Sequence, residues 1–191
     1  MKKKGLALVL ALALLVIGVV GGTLAWLTAK SDTVTNTFTT SDIKVELKET
    51  TGTQYKMIPG YELTKDPKAT VLAGSEECYL FVKLEKSTSF DSYLTYTVAD
   101  GWTQLTVDKD GKEITDLVYY RKVVTADIGT AYSVLAGDQV TVLGTVTKEM
   151  MNNIDNGTTV KPTLTVTAYA SQFYKSAGVE FTPAEAWANI G

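Results

Sequence analysis

The chain has 191 residues, of which 20% are charged and 45% hydrophobic, a balance that suits one packed domain and excludes a disordered chain. It has no histidine and a single cysteine. An intrachain disulfide, a cysteine-rich metal site and the commonest neutral-pH acid–base are therefore excluded. A formal charge of −3 argues against a nucleic-acid partner.

Met1-Lys2-Lys3-Lys4 is a basic start, and residues 5–22 carry no charge. That run sits at the lower limit for a spanning helix, which needs about 20 apolar residues. Thr23-Leu24-Ala25 then places small residues at both ends of a cleavage triplet, the pattern of a secretory signal cut between Ala25 and Trp26. The other reading is an uncleaved anchor at residues 5–22. Cleavage would leave 166 residues carrying 15 basic and 21 acidic side chains, outside the cytoplasmic membrane.

Residues 26–41 form a polar, extended segment. In it Val34, Asn36 and Phe38 alternate with Thr33, Thr35, Thr37 and Thr39. Such a stretch is either an edge strand of its own domain or a donor strand that adds to a neighbour's sheet.

From residue 42 to residue 191 the dominant period is two. Ile43, Val45 and Leu47 alternate with Lys44, Glu46 and Lys48, which predicts a half-buried strand. Cys78, Leu80, Val82 and Leu84 form one face of the next strand, and Tyr79, Phe81, Lys83 and Glu85 the other. Leu94, Tyr96 and Val98 alternate with threonine. Asp108-Lys109-Asp110-Gly111 divides Trp102–Val107 from Ile114–Val124 as a hairpin turn does. Val140 and Val142 follow, and residues 163–170 alternate threonine with Leu164, Val166 and Ala168. Twenty-nine threonines against four prolines fit this β pattern. Two short helices are predicted. Lys148–Asp155 stops before Asn156-Gly157, and Thr182-Pro183-Ala184-Glu185 is a capping box with proline at the first helical position. The fold class expected is all-β, an antiparallel β-sandwich with one or two short helices.

Candidate chemistry is sparse. Asp108-Lys109-Asp110-Gly111 opens like a calcium loop but lacks the remaining ligand spacing. Glu76-Glu77 precedes a strand and reads as a solvated loop. Cys78 shares a face with Leu80 and Val82 and reads as a small buried hydrophobe. Asn156-Gly157-Thr158 fits a glycosylation sequon and reads as a turn. Tyr93, Tyr96, Tyr119, Tyr120, Tyr169 and Tyr174 are expected in packing, with an exposed carbohydrate-binding stripe as the alternative. No catalytic residue, metal site or cofactor is expected.

Gly21-Gly22-Thr23-Leu24-Ala25-Trp26, Asp32, Asn36-Thr37-Phe38-Thr39 and Val45-Glu46-Leu47 resemble the TasA/camelysin family of exported bacterial proteins. Lys65-Asp66-Pro67, Ala73-Gly74-Ser75-Glu76, Tyr79-Leu80-Phe81-Val82, Ala168-Tyr169-Ala170 and Ala184-Glu185-Ala186-Trp187 extend the likeness. The resemblance implies jelly-roll topology and processing by the SipW type of signal peptidase. It further implies a place in the biofilm matrix or on the cell surface, as a subunit that associates with itself or with matrix components. It also brings a rival activity, since camelysin-like proteins are described as metallopeptidases, with a surface adhesin as a third reading. A zinc peptidase needs a metal-binding constellation and a base on the metal's water. Without histidine this chain has no His-Glu-x-x-His, and the structural reading is preferred.

Overall fold

The computed structural model describes residues 42–52 and 54–190, which belong to one compact unit. The strands are antiparallel throughout, and the all-β, sandwich-like class expected from the alternation is what the chain adopts.

A four-stranded sheet is the first layer. Its strands are β4 (Cys78–Lys86), β6 (Thr103–Val107), β7 (Glu113–Val123) and β10 (Leu164–Gln172), in the order β10-β4-β7-β6. The turn between β6 and β7 is the hairpin read from Asp108-Lys109-Asp110-Gly111. The Asp108 carboxylate accepts the backbone N–H groups of Asp110 and Lys112, both at 2.9 Å. Those bonds hold its pKa below the usual carboxylate range, the Lys112 amide acting most strongly. A carboxylate so engaged is a turn element, and the loop is a hairpin turn.

The second layer is a bent pair of three-stranded sheets. One has the order β1-β3-β8, from β1 (Val45–Lys48), β3 (Lys68–Val71) and β8 (Ala131–Ser133). The other has the order β2-β9-β5, from β2 (Glu62–Thr64), β9 (Gln139–Val142) and β5 (Leu94–Thr95). The chain passes from β2 to β3 through Asp66-Pro67, and from β8 to β9 through a 3₁₀ turn at Ala136–Asp138. Two backbone bonds carry the pairing across the bend, Val134 N–H to the Pro67 carbonyl and Lys65 N–H to that of Asp138. Asp138 takes the left-handed conformation, φ +53°, that aspartate tolerates better than most residues.

Between the layers lies the main core. Leu80, Val82 and Leu84 of β4 meet Ala69, Val71, Val134, Leu135 and Val142 from the bent layer, with Phe90 and Ile154 closing one end. Ile43, Val45 and Leu47 pack against it from the predicted face.

The opposite face of β4 departs from the half-polar expectation. Tyr79 and Phe81 are as deeply buried as their neighbours, at 2% and 0% exposure. The C-terminal segment covers them, through the hairpin β11 (Tyr174–Ser176) and β12 (Val179–Glu180) and a helix at Pro183–Ala188. Trp187 stacks over Phe81 at 5.3 Å and meets Tyr169 edge-on at 5.4 Å. The Tyr79 hydroxyl donates to the Phe181 carbonyl at 2.9 Å. Only the Lys83 end of that face stays polar, where Lys83 pairs with Glu85 and Asp116.

Three helices are described. Numbered in chain order they are α1 (Phe90–Tyr93), α2 (Lys148–Asp155) and α3 (Pro183–Ala188). The last two match the sequence reading. The capping box of α3 is complete, with Glu185 N–H donating to Thr182 Oγ1 and the Glu185 carboxylate accepting from Thr182 N–H. α2 begins under Thr147, whose hydroxyl accepts from Met150 N–H. The alternation at Leu94, Tyr96 and Val98 does not produce one long strand. Phe90 and Tyr93 form the short helix α1 instead, strand pairing ends after Thr95, and Val98 contributes a single bridge to Leu135. The Tyr93 hydroxyl donates to the Met150 carbonyl, and the run pairs with β9 at Leu94–Thr95 and again with Val134–Ala136 around Val98, interrupted where its partner forms the 3₁₀ turn at Ala136–Asp138.

Because Phe81 is sealed between β4 and the C-terminal cover, Phe81→Ala should destabilise the protein by about 3–5 kcal/mol. Urea unfolding measures it, and a loss below about 1 kcal/mol would show that the cover is not a packed layer.

Candidate functional site

The strand edges of the sandwich differ from one side to the other. The stretch at and just after β8 is covered, while β6 has no strand on its outer edge among the described residues. Ala99 N–H donates to the Val134 carbonyl, and Ala136 N–H donates to that of Thr97, so the segment around Val98 seals the stretch just after β8. The Trp102 indole N–H donates to the Ser133 carbonyl at 2.9 Å. The Arg121 guanidinium lies 3.6 Å above the Tyr132 ring and 5.2 Å from that of Trp102, tying β7 to β8. Gly101 makes room for it. A side chain there would stand 2.7 Å from the Arg121 Nη2, and φ is +84°. β6 is short, and its register with β7 shifts between Leu105–Val118 and Val107–Glu113, with the extra residues in β7.

Among the described residues the β10 edge is open. β10 pairs with β4 in unbroken register from Leu164–Lys86 to Gln172–Cys78. It has no strand on its other edge among the described residues. Its sequence, Leu164-Thr165-Val166-Thr167-Ala168-Tyr169-Ala170-Ser171-Gln172, contains no charge and no proline. Long, regular and uncharged, it has none of the usual devices against strand addition. Exposure records the missing cover. Leu84 and Val82 are buried to 2% and 0%, while Val166 and Ala168, directly opposite them and packed on the same core, are only half-buried. β1 lies beside β10 but is hydrogen-bonded only to β3 among the described residues.

Between these edges runs a groove of about 990 Å³. Leu47, Leu164 and Val166 form its strand walls, Leu63, Phe90 and Val140 its floor, and Met151 and Ile154 of α2 one side. Glu49, Tyr55 and Lys65 line it as well, within a polar network. Lys65 Nζ donates to both oxygens of Glu49 at 3.0 Å, and the Tyr55 hydroxyl donates to Glu49 Oε1 at 2.6 Å. Burial, with the adjoining carboxylate, raises the Tyr55 pKa above its ordinary value. Beside them Asp66, 8% exposed, accepts four hydrogen bonds, from the N–H and Oγ1 groups of Thr50 and Thr51, at 2.5–3.1 Å. These bonds, led by that of the Thr50 hydroxyl, hold the Asp66 carboxyl well below the usual carboxylate range. Asp66-Pro67 thus turns β2 into β3 and anchors the residues that follow β1. In the sequence Asp66 stands out only within the family likeness, which says nothing of this anchoring. An acid just before a proline at a bend is the local signal.

Other candidates fall elsewhere. Cys78 is fully buried, and burial pushes its thiol up to about 11, so it packs as a small hydrophobe. Glu77 accepts from Thr125 N–H and Oγ1 and holds a loop. Of the tyrosines, Tyr93, Tyr96 and Tyr119 belong to the main core and Tyr120 and Tyr169 to the outer one, while Tyr174 is exposed. They form no shared stripe. Asn156-Gly157 is the turn after α2, as its sequence predicts. Among the described residues no three acidic or thiol side chains come together to hold a metal ion, and no helix is long and apolar enough to cross a membrane. Thr23, Ala25 and Trp26 at the cleavage point, and Val34, Asn36 and Phe38 of the donor segment, lie outside the described residues.

Comparison with known proteins finds no match to a protein-family model, a curated protein or a solved structure.

The Asp66 anchor sets an acid limit. A carboxyl with a depressed folded pKa stabilises fully above its unfolded value of about 3.9, and that contribution is lost as pH falls through and below it. Asp66→Asn should lower the melting temperature at pH 7 and flatten the fall in melting temperature between about pH 5 and pH 2. Asp110→Asn, in the exposed pair with Lys109, should do neither. Equal acid limbs in wild type and Asp66→Asn would remove Asp66 from this role.

Proposed function

We propose that this protein is an exported, non-catalytic structural protein that self-associates by strand addition at the open edge of β10. The observation that carries the reading is the β10 edge itself, nine uncharged residues with no strand paired on the outer side among the described residues, whose Leu164–Val166 end borders a groove of mixed polarity. The leader at residues 1–25 and the likeness to exported matrix proteins supply the compartment and the class.

The proposed occupant is the segment with Val34, Asn36 and Phe38 from a second copy. Its alternation suits a strand with threonines on one face and Val34, Asn36 and Phe38 on the other. Added to β10, it would satisfy unpaired backbone groups and cover the exposed parts of Leu164 and Val166. The same contact made from copy to copy is head-to-tail and does not close, so it generates a fibre. The competing arrangement puts that segment on its own domain's edge, which gives a monomer. Processing between Ala25 and Trp26 would free the segment for either.

The two arrangements separate in one comparison. The mature protein beginning at Trp26 and a variant lacking residues 26–40 are compared by light scattering, electron microscopy and melting temperature. Strand donation predicts long assemblies from the first alone, with the truncated variant folded and monomeric. A truncated variant that assembles equally well would defeat the reading. A mature protein that stays monomeric and loses stability on truncation would support own-domain pairing instead.

A further inference from the structure

We infer that Asn156 is a site of spontaneous deamidation, and that the modification loosens α2, the helix that walls the groove. The turn serves no role in the reading above, and the inference stands whether or not the groove accepts a strand.

Asn156 and Gly157 are both exposed. Gly157 has no Cβ, and nothing lies within 4 Å of where one would stand, so its amide nitrogen is sterically open to the preceding residue's carboxamide. The Asn156 carboxamide has no hydrogen-bond partner among the described residues. Of the asparagines in the sequence only this one is followed by glycine; Asn36, Asn152, Asn153 and Asn189 precede Thr, Asn, Ile and Ile. Three bonds restrain the site, Gly157 N–H to the Ile154 carbonyl at 3.0 Å, Asn156 N–H to that of Asn152 at 2.9 Å and Thr159 N–H to that of Asn153 at 3.0 Å. All three close the C-terminal turn of a helix, where local opening costs little.

In the open turn the Gly157 nitrogen attacks Asn156 Cγ. The new bond from that nitrogen to Cγ closes a five-membered imide, the bond from Cγ to Nδ2 breaks, and ammonia departs with the proton lost from the Gly157 nitrogen. Water then opens the ring at either carbonyl, which leaves aspartate or isoaspartate at position 156. Water is the only co-reactant, and no electron is transferred.

The product places a carboxylate beside Asp155, at the end of α2 where the terminal carbonyls already concentrate negative charge. α2 has no basic residue in its last turn to offset it. Isoaspartate also inserts a methylene into the backbone at the helix cap. Met151 and Ile154, which wall the groove, sit on the helix that is weakened.

The test follows the mature protein over days at mildly alkaline pH by peptide mapping that resolves isoaspartate, beside a sample unfolded in urea. Conversion is expected at Asn156 in the folded protein, within about tenfold of the unfolded rate, with Asn152, Asn153 and Asn189 unchanged. Amide exchange across Met150–Asp155 in Asn156→Asp should be about two- to fivefold faster than in wild type. Retention of Asn156 in the folded protein while the urea-unfolded sample converts would overturn the site. Unchanged exchange in Asn156→Asp would overturn its effect on α2.

Discussion

An antiparallel sheet ends in strands whose outward N–H and C=O groups must be met by something, and among the described residues of this protein that requirement is met beside β8 and left open along β10. Beside β8 two devices are used, a crossing segment at Thr97–Ala99 and the Trp102–Arg121–Tyr132 stack. Among the described residues neither recurs on the side of β1 and β10. There the protein presents a regular, uncharged strand of nine residues, of which Leu164–Val166 border a groove lined by both core and charged side chains. The half-buried state of Val166 and Ala168, opposite fully buried partners, is the packing consequence.

The rest of the architecture holds that side in place. Asp66 fixes the residues after β1, Tyr93 ties α1 to α2 through the Met150 carbonyl, and the bent layer is joined across its kink by Lys65 and Val134. On the far face of the four-stranded sheet, α3 and its preceding hairpin bury Tyr79 and Phe81, so β4 is an interior strand on both faces. Rigid support behind β4 keeps β10 in register, and a fixed register is what an incoming strand needs as a template.

Much of this is legible in the residues. Val45–Lys48, Cys78–Lys86, the 102–124 hairpin and both longer helices carry enough alternation, turn chemistry or capping signal to be read directly. Strands of two or three residues, such as β5, β8 and β12, are too short for a period to show. The helix at Phe90 and Tyr93 escapes notice because a single turn has no periodicity either. The outer face of β4 misleads for another reason. Tyr79 and Phe81 look alike whether solvated at one end or covered, and their cover comes from residues about a hundred positions later. The open edge is foreseeable only in kind. A sequence can show that β10 lacks charge, but not that β1 stops short of pairing with it.

The central claim is that β10 is an unpaired edge awaiting a strand. Hydrogen–deuterium exchange resolved along Leu164–Gln172 tests it most directly, comparing monomeric and assembled mature protein. The account predicts that alternate β10 amides exchange rapidly in the monomer, unlike the fully paired interior of β4, and become protected on assembly. Slow exchange along all of β10 in the monomer, or no added protection in the assembly, would contradict it.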